Sequence, residues 1–295
     1  MSLAIVPDPE AMLKAAERSG RDWWRRLFHR PPAVIGLAGV AVVTIAAIFA
    51  PLLSPYSPVA SSFQHILAPS FSPGHLLGTD ELGRDVLSRL IYGAQPTLEV
   101  GLLATGLALV VGVPIGLVSG YYRGAGDMIV MRVADVVLAF PFLLLAIGFA
   151  AIFGPSLRNV VVALGIGSLP GFVRIARAEA MALREQDYVQ AAIVTGVRDR
   201  VILFRHLLPN MAGPILVQAT LTIPGAILGS ALLAYLGLGE QPPTASWGTM
   251  LTAAQDHLFN DPWLAILPGL AIFITTLCFN LLGDGLRDLF DPALS

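Results

Sequence analysis

Side chains that could carry out catalysis are few and widely separated in this sequence. The histidines stand at positions 29, 65, 75, 206 and 257, and none pairs at metal-ligand spacing. The patterns His-Glu-x-x-His and Gly-x-Ser-x-Gly are absent. Cys278 is the single cysteine, which excludes an intramolecular disulfide and a cysteine-based metal cluster in this chain alone. The sequence therefore predicts a chain that is not an enzyme and that holds no metal of its own.

A phosphate-binding loop of the form Gly-x-x-x-x-Gly-Lys is also excluded. It requires a lysine that follows a glycine, and the single lysine, Lys14, follows Leu13. If ATP drives this protein, a partner must bind the nucleotide.

Ionisable residues are scarce inside the apolar stretches of the chain, which argues against an ion-coupled transporter. Asp135 is the acidic residue that lies clearly within one of them, and Arg132 stands three positions before it. On a helix this spacing favours a local ion pair. A proton relay and a substrate contact are the alternatives for Asp135.

The segment 184–210 carries the most informative pattern in the sequence. Four of its residues fall at helical spacing on one flat face: Tyr188, Ala191, Ala192 and Thr195. Gly196 can adopt a positive φ and turn the chain sharply, and a second short helix is expected to end at Pro209. We predict a short helix that lies across the cytoplasmic end of the membrane-spanning helices. Its flat face is expected to contact the surface of another protein. The alternative is an amphipathic helix that rests on the membrane.

A second charged segment, 77–89, stands between two apolar stretches. Asp80, Arg84, Asp85 and Arg89 have the spacing of charged pairs on a short helix at the outer surface. These pairs could clamp the loop, or they could contact another protein.

Apolar helices must position these segments, because 55% of the residues are hydrophobic and 13% are charged, with a mean hydropathy of +0.73. A soluble domain carries about 25% charged residues. Each spanning helix needs about 20 apolar residues. We predict six spans, at residues 33–53, 97–120, 129–153, 159–176, 213–236 and 263–283. Prolines at 141, 170, 224 and 268 would each allow a kink.

The distribution of positive charge orients these spans. With a cytoplasmic N-terminus, 15 of the 18 lysine and arginine residues lie inside, and Arg84, Arg89 and Arg158 lie outside. We expect a retained first span, a cytoplasmic tail at 1–32 with a basic amphipathic helix, and a first span with external segment at 33–96. A core of five spans follows at 97–287 with the loop 177–212, and the tail 288–295 is cytoplasmic.

The segment 184–210 resembles the EAA signature of ABC-importer permeases. The likeness lies in Ala191-Ala192, in Gly196 at the matching distance and in Leu208-Pro209, while Gln190 stands where many members have glutamate. Residues 77–89 are similar to the Gly-Thr-Asp-x-x-Gly-Arg-Asp-x-x-Ser-Arg stretch of dipeptide, oligopeptide and nickel permeases, specifically the C-type subunit. Residues 236–243, Trp247-Gly248 and residues 280–292 resemble the same group.

This resemblance implies an all-α integral membrane protein with six transmembrane helices and the type I ABC-importer permease fold. It implies a B-type permease as the other half of a heterodimer, two subunits that bind ATP and Mg²⁺, an extracytoplasmic solute-binding protein and a lipid environment, with no nucleic acid. The location implied is the bacterial inner membrane, with both termini cytoplasmic. Di- or oligopeptides are the implied cargo, with nickel chelates, glutathione or another small solute as alternatives.

The resemblance also implies two sets of site residues. Those expected to couple to the ATPase are Asp187, Tyr188, Gln190, Ala191, Ala192, Gly196, Arg198 and Pro209. Those of the external motif, as a clamp or a partner contact, are Gly78, Asp80, Gly83, Arg84, Asp85 and Arg89.

Overall fold

Helices account for most of the described chain, which comprises residue 28 and residues 30–290 of a computed structural model. Within these residues, extended pairing is limited to two isolated β-bridges, Ser72 with His75 and Thr79 with Asp85. The all-α prediction is therefore confirmed. The expected basic helix of residues 1–32 falls almost wholly outside the described residues, as do residues 291–295 of the C-terminal tail.

Six helices lead to the segment that carries the predicted coupling residues. They are α1 Pro31–Ile48, α2 Ala50–Leu53, α3 Val86–Tyr122, α4 Gly124–Ala139, α5 Phe142–Phe153 and α6 Leu157–Arg184. The rest of the chain forms α7 Asp187–Val194, α8 Asp199–Val201, a π-helical turn Ile202–Leu207, α9 Leu208–Asn210, α10 Ala212–Tyr235, α11 Trp247–Ala254, a 3₁₀ turn Gln255–His257 and α12 Trp263–Phe290.

Five of these helices, α1, α3, α6, α10 and α12, are long and apolar enough to cross a membrane. The third predicted span is divided into α4 and α5, which meet at 86° and bring the number to six if they form one bent span. The break follows from Pro141, since proline lacks an amide hydrogen and forces Phe140 into extended angles (ψ 131°). Helices α6, α10 and α12 each continue without a break through a proline, at Pro170, Pro224 and Pro268 respectively.

Two helices extend well beyond the spans predicted for them. Helix α3 has 37 residues and begins at Val86 rather than near residue 97, and α6 has 28 residues and reaches Arg184 rather than 176. Both exceed the length of about 20 residues that a bilayer requires. Each span was predicted to end near the first charged residues, so the continuation of the helices beyond them was not predicted.

A row of glycines joins α3 to α6. A Cβ atom on Gly112 would lie 2.9 Å from the Phe172 Cβ, and one on Gly120 would lie 2.9 Å from the Ala180 Cβ. Such distances leave no room for a side chain, so the two backbones lie as close as their atoms allow. Helices α3 and α6 therefore form the centre of the bundle. A displacement at the end of one helix would be transmitted to the other through this close packing.

The two ends of the bundle have separate hydrophobic cores. At one end, called here the α11 end, Trp247 packs with Val86 and Leu98 and donates a hydrogen bond from Nε1 to the Leu90 carbonyl oxygen at 2.8 Å. At the other, called the α7 end, Leu117 and Phe172 pack with residues of the loop that follows α6. Helix α1 lies at the periphery against α12 and α3.

The local ion pair expected for Asp135 is wrong. Its Oδ1 lies 2.6 Å from a guanidinium nitrogen of Arg174 on α6. Arg132, three residues before Asp135, is exposed. The pair therefore joins two helices, which spacing along one helix could not reveal.

Candidate coupling surface at the α7 end

The segment with the predicted coupling residues folds as a short helix, α7, set off from the end of α6. Glu185 ends α6, and Gln186 takes extended angles (φ −72°, ψ 143°) before α7 begins. Asp187 stands in the first turn, where the positive end of the helix dipole favours a carboxylate. The side-chain amide of Gln190 donates to the Arg184 carbonyl oxygen at 2.8 Å, which fixes the corner between the two helices.

One face of α7 is anchored in the core. Val189 is fully buried, and Ala192 and Ile193 pack against the same cluster, which includes Ile202 and Leu207 from the returning chain. Ala192 thus lies at the boundary of the inner face, not on the outer face where its spacing had placed it. The anchor fixes the direction of the opposite face.

The opposite face is left open by the described chain. The Val194 side chain is 85% exposed and Tyr188 is 43% exposed. The other exposed residues of this face are Asp187, Gln190, Ala191 and Thr195. Ala191 stands between Tyr188 and Val194, and the Gln190 amide is turned back to Arg184, so another surface can approach the backbone closely at Ala191.

Gly196 turns the chain at the end of α7. Its φ is +77°, and the amides of Gly196 and Val197 donate to the carbonyl oxygens of Ile193 and Ala192, both at 3.0 Å. This is a glycine-closed helix end, in which φ > 0 favours glycine over any residue with a Cβ. A Cβ on Gly196 would meet no atom within 4 Å, so the position is strained for other residues but not crowded.

The returning chain is irregular. Arg198 is exposed and stands just before α8, and the π-helical turn follows α8, an arrangement that often marks functional sites. Pro209 does not end the second helix as expected, since helix α9 continues to Asn210 and the chain bends at Met211. Asn210 donates to the His206 carbonyl oxygen at 2.6 Å, which closes the end of the π-helical turn.

A carboxylate on the returning chain ties the segment to α3. The phenolic oxygens of Tyr121 and Tyr122 donate to the two Asp199 carboxylate oxygens, at 2.8 and 3.0 Å. The Arg184 guanidinium lies 5.2 Å from the centre of the Tyr121 ring, in cation–π contact. A displacement of Asp199 therefore pulls directly on the last turn of α3.

Two further ion pairs bind the helices at this end. Arg123 lies 2.6 Å from Glu185, at the junction of α6 and α7. Asp127 on α4 accepts hydrogen bonds from Ser119 at 2.6 Å and from Arg177 on α6 at 2.7 Å. Helices α3, α4 and α6 are thus linked to one another and to the base of α7.

The external motif lies at the α11 end and is buried. Asp80 accepts from the Arg84 amide at 2.9 Å and the Arg84 Nε at 2.7 Å, and its other close cation is Arg89, at 3.3 Å. Asp85 accepts from the Ser88 amide at 2.8 Å, which caps α3, and lies 2.9 Å from His75 Nδ1. The predicted short helix is wrong, since residues 80–85 form a loop and the helix begins at Val86.

The glycines of this motif also serve the loop. Gly78 and Gly83 have φ of +78° and +69°. A Cβ on Gly78 would collide with the Ala68 carbonyl oxygen, and one on Gly83 with the Ser62 carbonyl oxygen. These contacts favour the clamp over a partner contact for the external motif.

Comparison with known families shows which family this chain belongs to. Residues 112–295 match the binding-protein-dependent transport system inner membrane component, and residues 19–73 match the N-terminal transmembrane domain of oligopeptide transport permease C. The chain belongs to this family of ABC-importer permeases. It is therefore a membrane-spanning subunit of an ABC importer.

Curated relatives cover the permease almost end to end. A di/tripeptide transport system permease of Pseudomonas aeruginosa is 43% identical over 93% of this chain and 92% of its own. A dipeptide transport system permease of Alkalihalophilus pseudofirmus is 41% identical, with 98% and 96% covered. A glutathione transport system permease of Pectobacterium atrosepticum is also 41% identical, with 95% and 93% covered.

A solved structure supports the fold of the permease. A chain of the MetNI methionine ABC transporter, in an inward-facing conformation, superposes with a TM-score of 0.57 at 17% identity. The match covers 70% of the permease and 98% of that chain. The predicted type I importer fold is confirmed at this level.

Sequence reasoning found α7 and Gly196 in the permease but missed the contacts behind them. Tyr121, Tyr122 and Asp199 were absent from the predicted site, although an aromatic pair at the end of a long apolar stretch was a visible signal. Within residues 28 and 30–290, no group of three or more His, Cys, Asp or Glu side chains is placed to hold a metal ion.

Proposed function

We propose that this permease forms half of a translocation pathway for di- or oligopeptides delivered by a solute-binding protein. Support comes from relatives at 41–43% identity that are named as dipeptide or di/tripeptide permeases. In this proposal a B-type permease completes the pathway. Two further subunits bind and hydrolyse ATP, because this sequence has no phosphate-binding loop. The chain would lie in a bacterial inner membrane with both termini in the cytoplasm.

The open face of α7 is the observation that carries the proposed mechanism. Val189 anchors the helix, while Tyr188, Ala191 and Val194 face away from the described chain. An apolar side chain that is 85% exposed, beside an alanine that permits close approach, is suited to insertion into a groove of a partner. We assign α7 as the coupling helix that docks on an ATP-binding subunit.

Movement of that subunit would pass into the membrane through the contacts behind α7. Asp199 holds the end of α3 through Tyr121 and Tyr122, and Arg123 holds Glu185 at the base of α7. Because α3 and α6 are packed along their glycine row, both would move together. The pathway would thus open and close as a two-state element that ATP binding on the partner biases.

Gly196→Arg in the complete importer, reconstituted with its ATP-binding subunits and binding protein, tests this assignment. We expect normal membrane insertion and continued ATP hydrolysis, with peptide uptake reduced at least about tenfold because the turn that presents α7 is strained and crowded on its partner side. Gly154→Arg is the matched control, since Gly154 also has a positive φ (+86°) and open space around it but lies at the other end of α6.

Uptake that persists in Gly196→Arg, or that falls equally in Gly154→Arg, would contradict the coupling role. Parallel uptake assays with a dipeptide and with glutathione compare the two cargoes named for the relatives. Uptake of glutathione without uptake of the dipeptide would favour glutathione as the cargo.

A further inference from the structure

The ion pair between Asp135 on α4 and Arg174 on α6 is unusual for its position. Each residue lies about 15 Å along its helix from the α7 end, at 1.5 Å per residue. Yet the side chains are 48% and 49% exposed in the chain. An ion pair within these two helices that is exposed on one side is expected to face water or protein rather than hydrocarbon.

The cost of placing charge in lipid argues against lipid on that side. Ionisable residues inside spanning segments face the interior of a bundle or a water-filled cavity. Lipid-facing positions of α4 are expected to be apolar, as exposed Ile129 and Val133 are, whereas the exposed Arg132 lies one turn from Asp135. The sector that contains Asp135 is therefore distinct from the rest of the helix surface.

Polar groups continue from this pair onto α10. One turn from Arg174 on α6, a Cβ on Gly171 would lie 3.2 Å from the side-chain nitrogen of Gln218. That nitrogen lies 3.3 Å from the hydroxyl oxygen of Thr222, one turn further along α10. We call Asp135, Arg174, Gln218 and Thr222 the polar track. It crosses three helices, and all four of its side chains are exposed or half-buried.

We propose that the polar track lines the substrate pathway and that Asp135 and Arg174 form a binding site for the two charged termini of a short zwitterionic peptide. This inference rests on the proposed function. Arg174 would take the α-carboxylate, which guanidinium binds with two parallel hydrogen bonds, and Asp135 would take the α-ammonium. When the pathway is empty the two side chains neutralise each other, and a bound peptide replaces one ion pair with two.

Cysteine labelling tests whether the pair faces water. In the complete importer, with Cys278→Ser as background, Asp135→Cys and Arg174→Cys are exposed to a membrane-impermeant cationic methanethiosulfonate. We expect both to react, and saturating dipeptide with ATP to slow the reaction. Val42→Cys on α1 and Phe273→Cys on α12 are controls, since these side chains are 67% and 59% exposed but lie on apolar helix faces, and they should stay unlabelled.

Substrate termini test the assignment of charges. We expect Arg174→Gln to reduce uptake of a free dipeptide about tenfold, through KM, and to remove the preference for a free over an amidated C-terminus. Asp135→Asn should remove the preference for a free over an acetylated N-terminus. Arg30→Gln, which breaks an ion pair with Asp288 at the periphery, should leave both preferences intact.

The outcomes separate this inference from the function beneath it. If the unaltered importer transports no peptide, the proposed function fails. If it transports peptides while positions 135 and 174 resist labelling, or the variants keep both preferences, only the polar track as a substrate site is overturned. Loss of the second permease on purification of Asp135→Asn would also overturn it, since the pair would then belong to the contact between permeases.

Discussion

Charged side chains of the external motif are turned inward at the α11 end of the permease, whereas at the α7 end mostly neutral side chains are turned outward, with Asp187 as the charged exception. Asp80, Arg84, Asp85 and Arg89 are each at most 6% exposed. On α7, by contrast, Val194 is 85% exposed and Ala191 stands open. A motif rich in charge can therefore be an internal clamp, and a motif of small neutral residues can be a docking surface.

Removal of Asp80 should give the largest effect. Asp80→Ala leaves Arg84 and Arg89 buried without their shared carboxylate, which costs about 3–5 kcal/mol in a buried pair. We expect little folded permease in membranes and a large fall in the thermal midpoint of what remains. Glu81→Ala is the control, because that residue is 28% exposed and pairs with Arg84 alone. An Asp80→Ala permease as stable as the Glu81→Ala one would break the comparison.

Two valines on opposite faces of α7 sharpen the comparison. Val189→Asp puts an unpaired charge into a fully buried site and should prevent stable folding. Val194→Asp changes an exposed side chain, so the unfolding free energy should stay within about 0.5 kcal/mol. Uptake should nevertheless fall at least about tenfold if Val194 is buried against the ATP-binding subunit. Thermal denaturation and uptake by the reconstituted importer separate the two effects, and full uptake with Val194→Asp would count against docking.

The smallest effect is expected at Glu240, near the α11 end. Burial, with a contribution from the Glu99 charge, raises the pKa of this carboxyl from 4.5 to about 7. The folded chain then holds a proton that the unfolded chain releases above pH 4.5, so stability decreases as pH rises from 4.5 to 7. Because the side chain is partly exposed, we expect about 1 kcal/mol. In Glu240→Gln the thermal midpoint should depend less on pH across this range. An unchanged pH dependence would show that the Glu240 carboxyl is not its cause.

The number and nature of the helices could be predicted from the sequence because lipid restricts the choice to apolar helices. The turn at Gly196 was also predictable, since a glycine after a short helical pattern is a local signal. Contacts between helices were not: Asp135 with Arg174, and Tyr121 with Asp199, depend on how helices are rotated against one another. The start of α3 at Val86 was missed because its charges are satisfied by the folded loop, and a hydropathy profile records only their polarity.

The right-angle break between α4 and α5 leaves neither half able to cross a bilayer alone. At 1.5 Å per residue, 16 and 12 residues give about 24 and 18 Å, against about 30 Å of hydrocarbon. Phe140 and Pro141 at the bend are exposed, and non-helical backbone at that depth is tolerated only beside protein or water. An isolated permease would therefore thin the bilayer around this bend, and assembly with a second subunit would relieve the mismatch.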